Sequence, residues 1–266
     1  MNYQIDFINE ICAEENIRVE KLSHGYVLRL NKNEVARHIF GSYWDMNSAA
    51  SDRIACDKTA CSNLLIRNKI PAIIHELLYN PLRRPGWAGK NGAWARAAVF
   101  FKKYNQKVVL KPNQGTKGQD IFLCTSMPEL EAAAQAIFAN YPDAALSPYR
   151  EIQNEYRVFF LNGNCCFAYG KAKGDSWQHN LSQGAVAFEL SDNTKIENLN
   201  ALAIRAANCI GISFSTIDIA ESPNGELAVM EINSGVQARQ LLEQLPHLRP
   251  TLKKIYKEAV FSLFAR

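Results

Sequence analysis

The 266-residue chain has no apolar run approaching the roughly 20 residues that a helical membrane span needs. Its N-terminal stretch MNYQIDFINEICAEEN carries acids early and lacks an apolar core segment, so it does not read as a signal peptide. There is no low-complexity tract and no charge block, which argues against a large disordered region. No Cys-x-x-Cys pair occurs, and the five histidines are scattered without metal-ligand spacing. The seven cysteines, an odd number, point to reduced thiols in a reducing, cytoplasmic compartment. Cys165 and Cys166 are adjacent, so on a strand they face opposite sides and do not share a metal. GxxxxGK[ST] and GxGxxG are both missing, as is any Ser, Cys or His triad for covalent catalysis. The net charge of +4 suits a small anionic ligand and is too diffuse to indicate nucleic acid. At 47% hydrophobic and 21% charged residues, the composition is that of an ordinary globular protein with a sizeable core.

Local patterns predict an α+β chain. Residues 5–15 read as an amphipathic helix, and IRVEKL and GYVLRL as a strand pair around Ser23-His24-Gly25. Asp57 is placed to cap a helix over 57–70, which Pro71 follows. HELLYNPLRRPGWAGKNG reads as an elaborated loop, in which Arg83, Arg84, Trp87 and Lys90 form either an acceptor surface or a solvated face. Helices are expected over 93–104, 128–141, 198–211 and about 248–264, the third of them stopped by Gly211. KVVLKP and DIFLC read as strands. EYRVFFLNG and CCFAYGKAKG read as a hairpin, with FSTIDI and AVMEINS as another.

Two places concentrate chemistry. In VVLKPNQGTKGQDIFLC, Lys111 ends a strand and a glycine-containing loop follows. The loop is either a plain hairpin turn or a backbone cradle for phosphates, with Gly115 and Gly118 giving it room and Thr116 or Lys117 assisting. In the second hairpin, Glu231 and Asn233 are two apart on a strand and share a face, and Asp218 reaches that face from the partner strand. Alternation puts Val229 on the same side and Met230 and Ile232 on the other. Two carboxylates and a carboxamide form an oxygen-only set suited to Mg2+ bridged to phosphates; a solvated face is the competing reading.

Asp57-Lys58, VVLKP with its glycine loop, EYRVFF, the strand ending in Asp218 and MEINS occur in that order. Together they resemble the ATP-grasp superfamily and its carboxylate–amine ligases. The likeness spans about Tyr26 to Val236 and is nearest to cyanophycin synthetases, bifunctional glutathione synthetases and ribosomal-protein glutamate ligases. YVLRLNKNEVARHIFGSYWDMNSAASDRIACDK resembles the segment leading into the ATP site, and NLSQGA the substrate- and phosphate-facing loop of the glutamate ligases.

The resemblance implies an ATP-grasp fold of two lobes gripping a nucleotide behind a short N-terminal lobe, divided as 1–57, 58–146 and 147–266. It implies ATP as co-substrate, with one or two Mg2+, or Mn2+ in their place, held by Asp218, Glu231 and Asn233. Lys58 and Lys111 would contact phosphates beneath a flap over 114–118, and Glu155 the ribose. Arg157, the catalytic candidate beside Lys111 and Asn180, would neutralise charge on the transferred phosphoryl, and Asn180 would face the nucleotide phosphates. Pro148, Tyr149 and Arg150 occupy the adenine hinge, where the family usually has an acidic pair. Lys171, Lys173 and Arg239 are the substrate-side candidates; Lys171 and Lys173 alternate onto one strand face, while Trp177 and His179 read as loop packing. The implied reaction joins the carboxylate of an amino acid or peptide to an amine through an acyl phosphate, releasing ADP. A non-catalytic nucleotide binder and a small-molecule kinase of the same fold are the competing readings. The short N-terminal lobe leaves room for a carrier, a peptide acceptor or a second copy of the chain to complete the acceptor site. Neither nucleic acid nor a membrane is implied.

Overall fold

The architecture is that of a computed structural model, which describes residues 3–83, 92–115, 118–174, 181 and 184–265. Three antiparallel sheets follow one another along the chain. The first has the order β1 (Arg18–Leu22), β2 (Val27–Lys32), β3 (Val35–Phe40) and β4 (Tyr43–Trp44), preceded by helix α1 (Tyr3–Glu14). Helices α2 (Ala49–Cys56) and α3 (Lys58–Arg67) lead to β5 (Glu76–Tyr79) and, past α4 (Gly92–Lys103), to β6 (Val108–Pro112) and β7 (Phe122–Cys124). After α5 (Met127–Asn140) comes β8 (Asp143–Pro148), and the second sheet has the order β5-β8-β6-β7.

The third sheet contains β9 (Asn154–Leu161), β10 (Asn164–Ala172), β11 (Val186–Glu189), β12 (Phe214–Glu221) and β13 (Leu227–Asn233), in the order β11-β10-β9-β12-β13. Helix α6 (Asn193–Ile210) packs on it, and α7 (Arg239–Gln244) and α8 (Arg249–Phe264) close the chain. Among the described residues no helix is long and apolar enough to cross a membrane. All seven cysteines are free.

Local chemistry accounts for the main joints. Asn162 and Gly163 both have positive φ, 46° and 89°, as a two-residue turn matched to strand twist requires, and they join β9 to β10. Asp57 accepts the Ala60 amide at 2.9 Å and so caps α3. Gly211 ends α6 in the left-handed conformation at φ 68°.

Three cores result. One joins α1 and α8 to the first sheet and to one face of the third, through Phe7, Ile11, Trp44, Phe214 and Tyr256. The second packs α2, α3 and α6 on the opposite face of the third sheet, and the last lies under α4 and α5 on the second sheet.

Two expectations are corrected here. Part of the segment read as an elaborated loop is strand β5, which hydrogen-bonds along the edge of β8 from Glu76↔Leu146 to Tyr79↔Asp143; Arg84, Trp87 and Lys90 lie outside the described residues. Strict alternation along β13 also fails. Asp218 pairs with Glu231 but Ile219 pairs with Val229, so Met230 is a bulge residue. The extra residue turns Val229 into the core beside Ile232, while Met230 lines the cleft.

Candidate functional site

The second and third sheets face each other across a cleft of about 880 Å3. Its floor is made where β6 ends, where α3 begins and where β9, β12 and β13 run side by side. Lys58, Lys111, Glu155, Arg157, Lys171 and Asp218 all line it, as do Glu231, Asn233 and Arg239. Gly115, Gly118, Pro148, Tyr149 and Arg150 complete the set of described candidates found there. Lys173 is exposed, one residue beyond the end of β10, and is absent from the cleft wall, whereas Lys171 is buried in it. Thr116, Lys117, Asn180, Trp177 and His179 lie outside the described residues.

The two lysines are brought together by a residue that sequence reasoning passed over. Asn113 follows β6 and is buried. Its carbonyl accepts the Lys58 amide at 3.2 Å, and its side-chain oxygen accepts the Thr59 amide at 3.1 Å. The first turn of α3 is thereby tied to the strand that carries Lys111. The Lys58 ammonium donates to the Gly115 carbonyl at 2.8 Å and lies 3.8 Å from Glu231. Lys111 has no hydrogen-bond or ion-pair partner among the described residues. Burial first, and then the neighbouring Lys58 charge, push its pKa down to about 8. Burial holds His75, close to both lysines, well below the usual imidazole range and so neutral. The cradle therefore offers cationic groups and no anion directly bonded to Lys111.

On the third sheet a largely buried charged network lines the cleft. Arg157 on β9 and Asp218 on β12 are cross-strand partners. The guanidinium donates to both carboxylate oxygens, Nε at 2.7 Å and Nη2 at 2.6 Å. Lys171 donates to Glu155 and lies 3.3 Å from Asp218. Burial opposes ionisation of Asp218, but Arg157 and then Lys171 outweigh it and hold the carboxyl well below the usual carboxylate range. Among the described residues only Lys171 is bonded directly to Glu155, and burial pushes the Glu155 pKa up to about 7. Asn233 donates to Asp218 at 3.2 Å and to Glu231 at 3.4 Å, so it links the two carboxylates of the proposed metal-side set. Among the described residues no three His, Cys, Asp or Glu side chains cluster as metal ligands. The oxygen set is two carboxylates and one carboxamide, the composition that suits a hard cation sharing phosphate oxygens.

The hinge is apolar and partly closed. Val109, Pro148, Ile152 and Met230 line its walls. The Tyr149 amide donates to the Lys107 carbonyl at 3.0 Å, so that donor is not available to a base, and the Lys107 ammonium sits 4.0 Å over the Tyr149 ring. Ser42, Tyr43, Arg53 and Cys56 line the cleft on the side where the Cys56 thiol meets the Ser234 hydroxyl just past β13. All four lie in the stretch 26–58 that resembles the segment leading into the ATP site, but the sequence singles none of them out as a candidate.

Comparison with known proteins agrees with this geometry. The model of the RimK-like ATP-grasp domain matches residues 55–245. The chain is 28% identical over 145 residues to the tetrahydromethanopterin:alpha-L-glutamate ligase of Methanocaldococcus jannaschii, a match covering 52% of this chain and 48% of that protein. It is 32% identical over 130 residues to a protein of Pseudomonas putida named "Probable alpha-L-glutamate ligase", covering 48% and 42%. The chain thus spans about half the length of the curated relatives it matches. Among solved structures, the D-alanine-D-alanine ligase of Coxiella burnetii superposes with a TM-score of 0.54 at 14% identity, covering 83% of this chain and 64% of that one. D-cycloserine synthetase gives a TM-score of 0.54 at 18% identity, covering 77% and 71%. These likenesses show the ATP-grasp fold. Both the fold and the matched motifs place the chain in one group: it belongs to the family of RimK-like ATP-grasp domains.

Proposed function

We propose that the protein is an ATP- and Mg2+-dependent ligase that joins a carboxylate to an amine and releases ADP and phosphate. The observation that carries this reading is the meeting, in one cleft, of Lys58, Lys111 and Arg157 with the Asp218, Glu231 and Asn233 oxygen set. Phosphoryl transfer gains mostly from positioning and from positive charge around the equatorial oxygens, and these side chains supply both. Lys58 and Lys111 orient the phosphates, with Gly115 and Gly118 at the two described edges of the loop above them. A substrate carboxylate oxygen attacks the γ-phosphorus as the bond to ADP breaks. Arg157 meets the charge that develops, and an amine then displaces phosphate from the acyl carbon. Asp218, Glu231 and Asn233 would hold one or two Mg2+, or Mn2+, which supply further positive charge to the phosphate oxygens. Glu155 would hold the ribose, and the apolar slot at Pro148, Tyr149 and Arg150 the base.

The family's named relatives act on glutamate, which makes an amino acid or a peptide the first substrate to try. Free thiols and the lack of a membrane-crossing helix among the described residues fit a cytoplasmic setting. Incubation with ATP, Mg2+ and pooled amino acids and dipeptides should release ADP and yield a condensed product. Asp218→Asn and Glu231→Gln should each lower the rate at least about a hundredfold. AMP release, a phosphorylated product, or full activity in both variants would overturn the proposal.

A further inference from the structure

We propose that Arg53 binds a substrate carboxylate other than the one that is activated. The inference rests on the ligase reading above and names a recognition element for it. Arg53, an exposed residue, stands in the last turn of α2 and lines the cleft together with Ser42, Tyr43 and Cys56. This wall comes largely from the chain before the family match, which begins at residue 55. It is fixed against the metal-side strand at two points. The Cys56 thiol lies 3.7 Å from the Ser234 hydroxyl and 3.8 Å from the Tyr43 hydroxyl. Gly235 lets Ser42 approach so closely that a Cβ there would stand 2.6 Å from the Ser42 hydroxyl oxygen.

The other cations of this wall already have carboxylate neighbours. Arg239 is held by Glu243 at 2.8 Å and Lys58 lies beside Glu231. Asp52, its neighbour on α2, is half-buried and bonded to Asn47 and Ser234 rather than to Arg53. Arg53 has no hydrogen-bond or ion-pair partner among the described residues. An exposed guanidinium on a cleft wall that also carries the Ser42 and Tyr43 hydroxyls and the Cys56 thiol presents a planar donor fork that matches a carboxylate. The triphosphate is served by Lys58, Lys111 and Arg157. The acid to be phosphorylated must lie beside Arg157 and the Asp218 set. A carboxylate that reaches Arg53 is therefore a second one, which selects amino acids or peptides that carry it.

Two readouts separate this inference from the nucleotide reading. Calorimetry with a non-hydrolysable ATP analogue and Mg2+ is run on the wild type, Arg53→Gln and Arg53→Lys. ADP release is then followed with free L-amino acids and dipeptides, and with the same compounds carrying each carboxylate in turn as its amide. The analogue is expected to bind all three proteins within about twofold. For the accelerating substrate, Arg53→Gln should raise KM about tenfold to a hundredfold at nearly constant kcat, with partial rescue in Arg53→Lys. Amidating the second carboxylate should weaken the wild type by a similar factor and add nothing to Arg53→Gln, whereas amidating the activated one should abolish turnover. An unchanged KM in Arg53→Gln, equal use of every amide, or no acceleration by any carboxylate probe while the analogue still binds would overturn the role of Arg53. Failure of the wild type to bind the analogue would instead overturn the nucleotide site, and this inference with it.

Discussion

Lys111 shows how a single residue can be tuned by where it is buried. An ammonium with no partner among the described residues, set beside Lys58, has its pKa pushed down to about 8. The unfolded chain keeps the ammonium proton up to the ordinary lysine range, so between the two values it binds more protons than the folded chain. This group therefore makes stability rise with pH across that window and removes a cost of keeping the charge buried. A triphosphate reverses the balance by supplying the missing negative charge. Binding of an ATP analogue with Mg2+ at pH 8 should take up roughly half a proton. Calorimetry in two buffers of different ionisation enthalpy measures that uptake directly. A buffer-independent heat would mean that Lys111 does not meet the phosphates. Its glycine neighbours are explained differently from each other. A Cβ on Gly115 would stand 2.8 Å from the Pro112 Cβ, so close packing requires that glycine, whereas Gly118 is needed for its φ of 69°.

Elements place these residues, and two of their joints can be tested. Gly170 on β10 lies under the Phe188 ring of β11, where an added Cβ would fall 2.1 Å from a ring carbon. Gly170→Ala should cost about 1–3 kcal/mol by overpacking, seen as an earlier urea midpoint with an unchanged slope. Asn113→Ala removes the acceptor that holds the Thr59 amide at the head of α3. It should lower stability by about 1–2 kcal/mol and weaken ATP-analogue binding more than the melting loss explains, because Lys58 loses its register with Lys111. Equal nucleotide affinity in the variant would separate Asn113 from the site.

Most elements that carry the candidate site were legible, because their signals are local. Asn162-Gly163 announces a turn, Gly211 a helix end, and Asp57 a cap. The remainder depended on tertiary context. The β2–β3 turn is made by Asn33 and Glu34 at φ 48° and 64°, and a glutamate gives no warning of that conformation. β8 is buried along its whole length between β5 and β6, so it shows no alternation to recognise. The Met230 bulge leaves no mark in composition. Arg53 lies in the segment leading into the ATP site but has nothing there to mark it out, and it gains meaning from standing on the cleft wall without a partner among the described residues.

At the scale of the molecule, the two ends of the chain share one core. Leu252 of α8 is fully buried with Phe7, Ile8 and Ile11 of α1. Outside them run ion pairs such as Lys253 with Glu14 at 2.6 Å. Leu252→Ala should cost about 2–5 kcal/mol by leaving a cavity, against less than about 1 kcal/mol for Lys253→Ala. Thermal melts of the two variants distinguish a shared apolar core from a charge zipper.

The Arg157–Asp218 pair carries a consequence for the order in which ligands arrive. Asp218 is already neutralised by a guanidinium and an ammonium, so a free divalent ion gains little by approaching it. A triphosphate attracts the same guanidinium and releases the carboxylate. Metal and nucleotide should therefore enter together. Millimolar Mg2+ alone is expected to leave the melting temperature unchanged, the metal-free ATP analogue to raise it slightly, and the two combined to raise it by more than the sum.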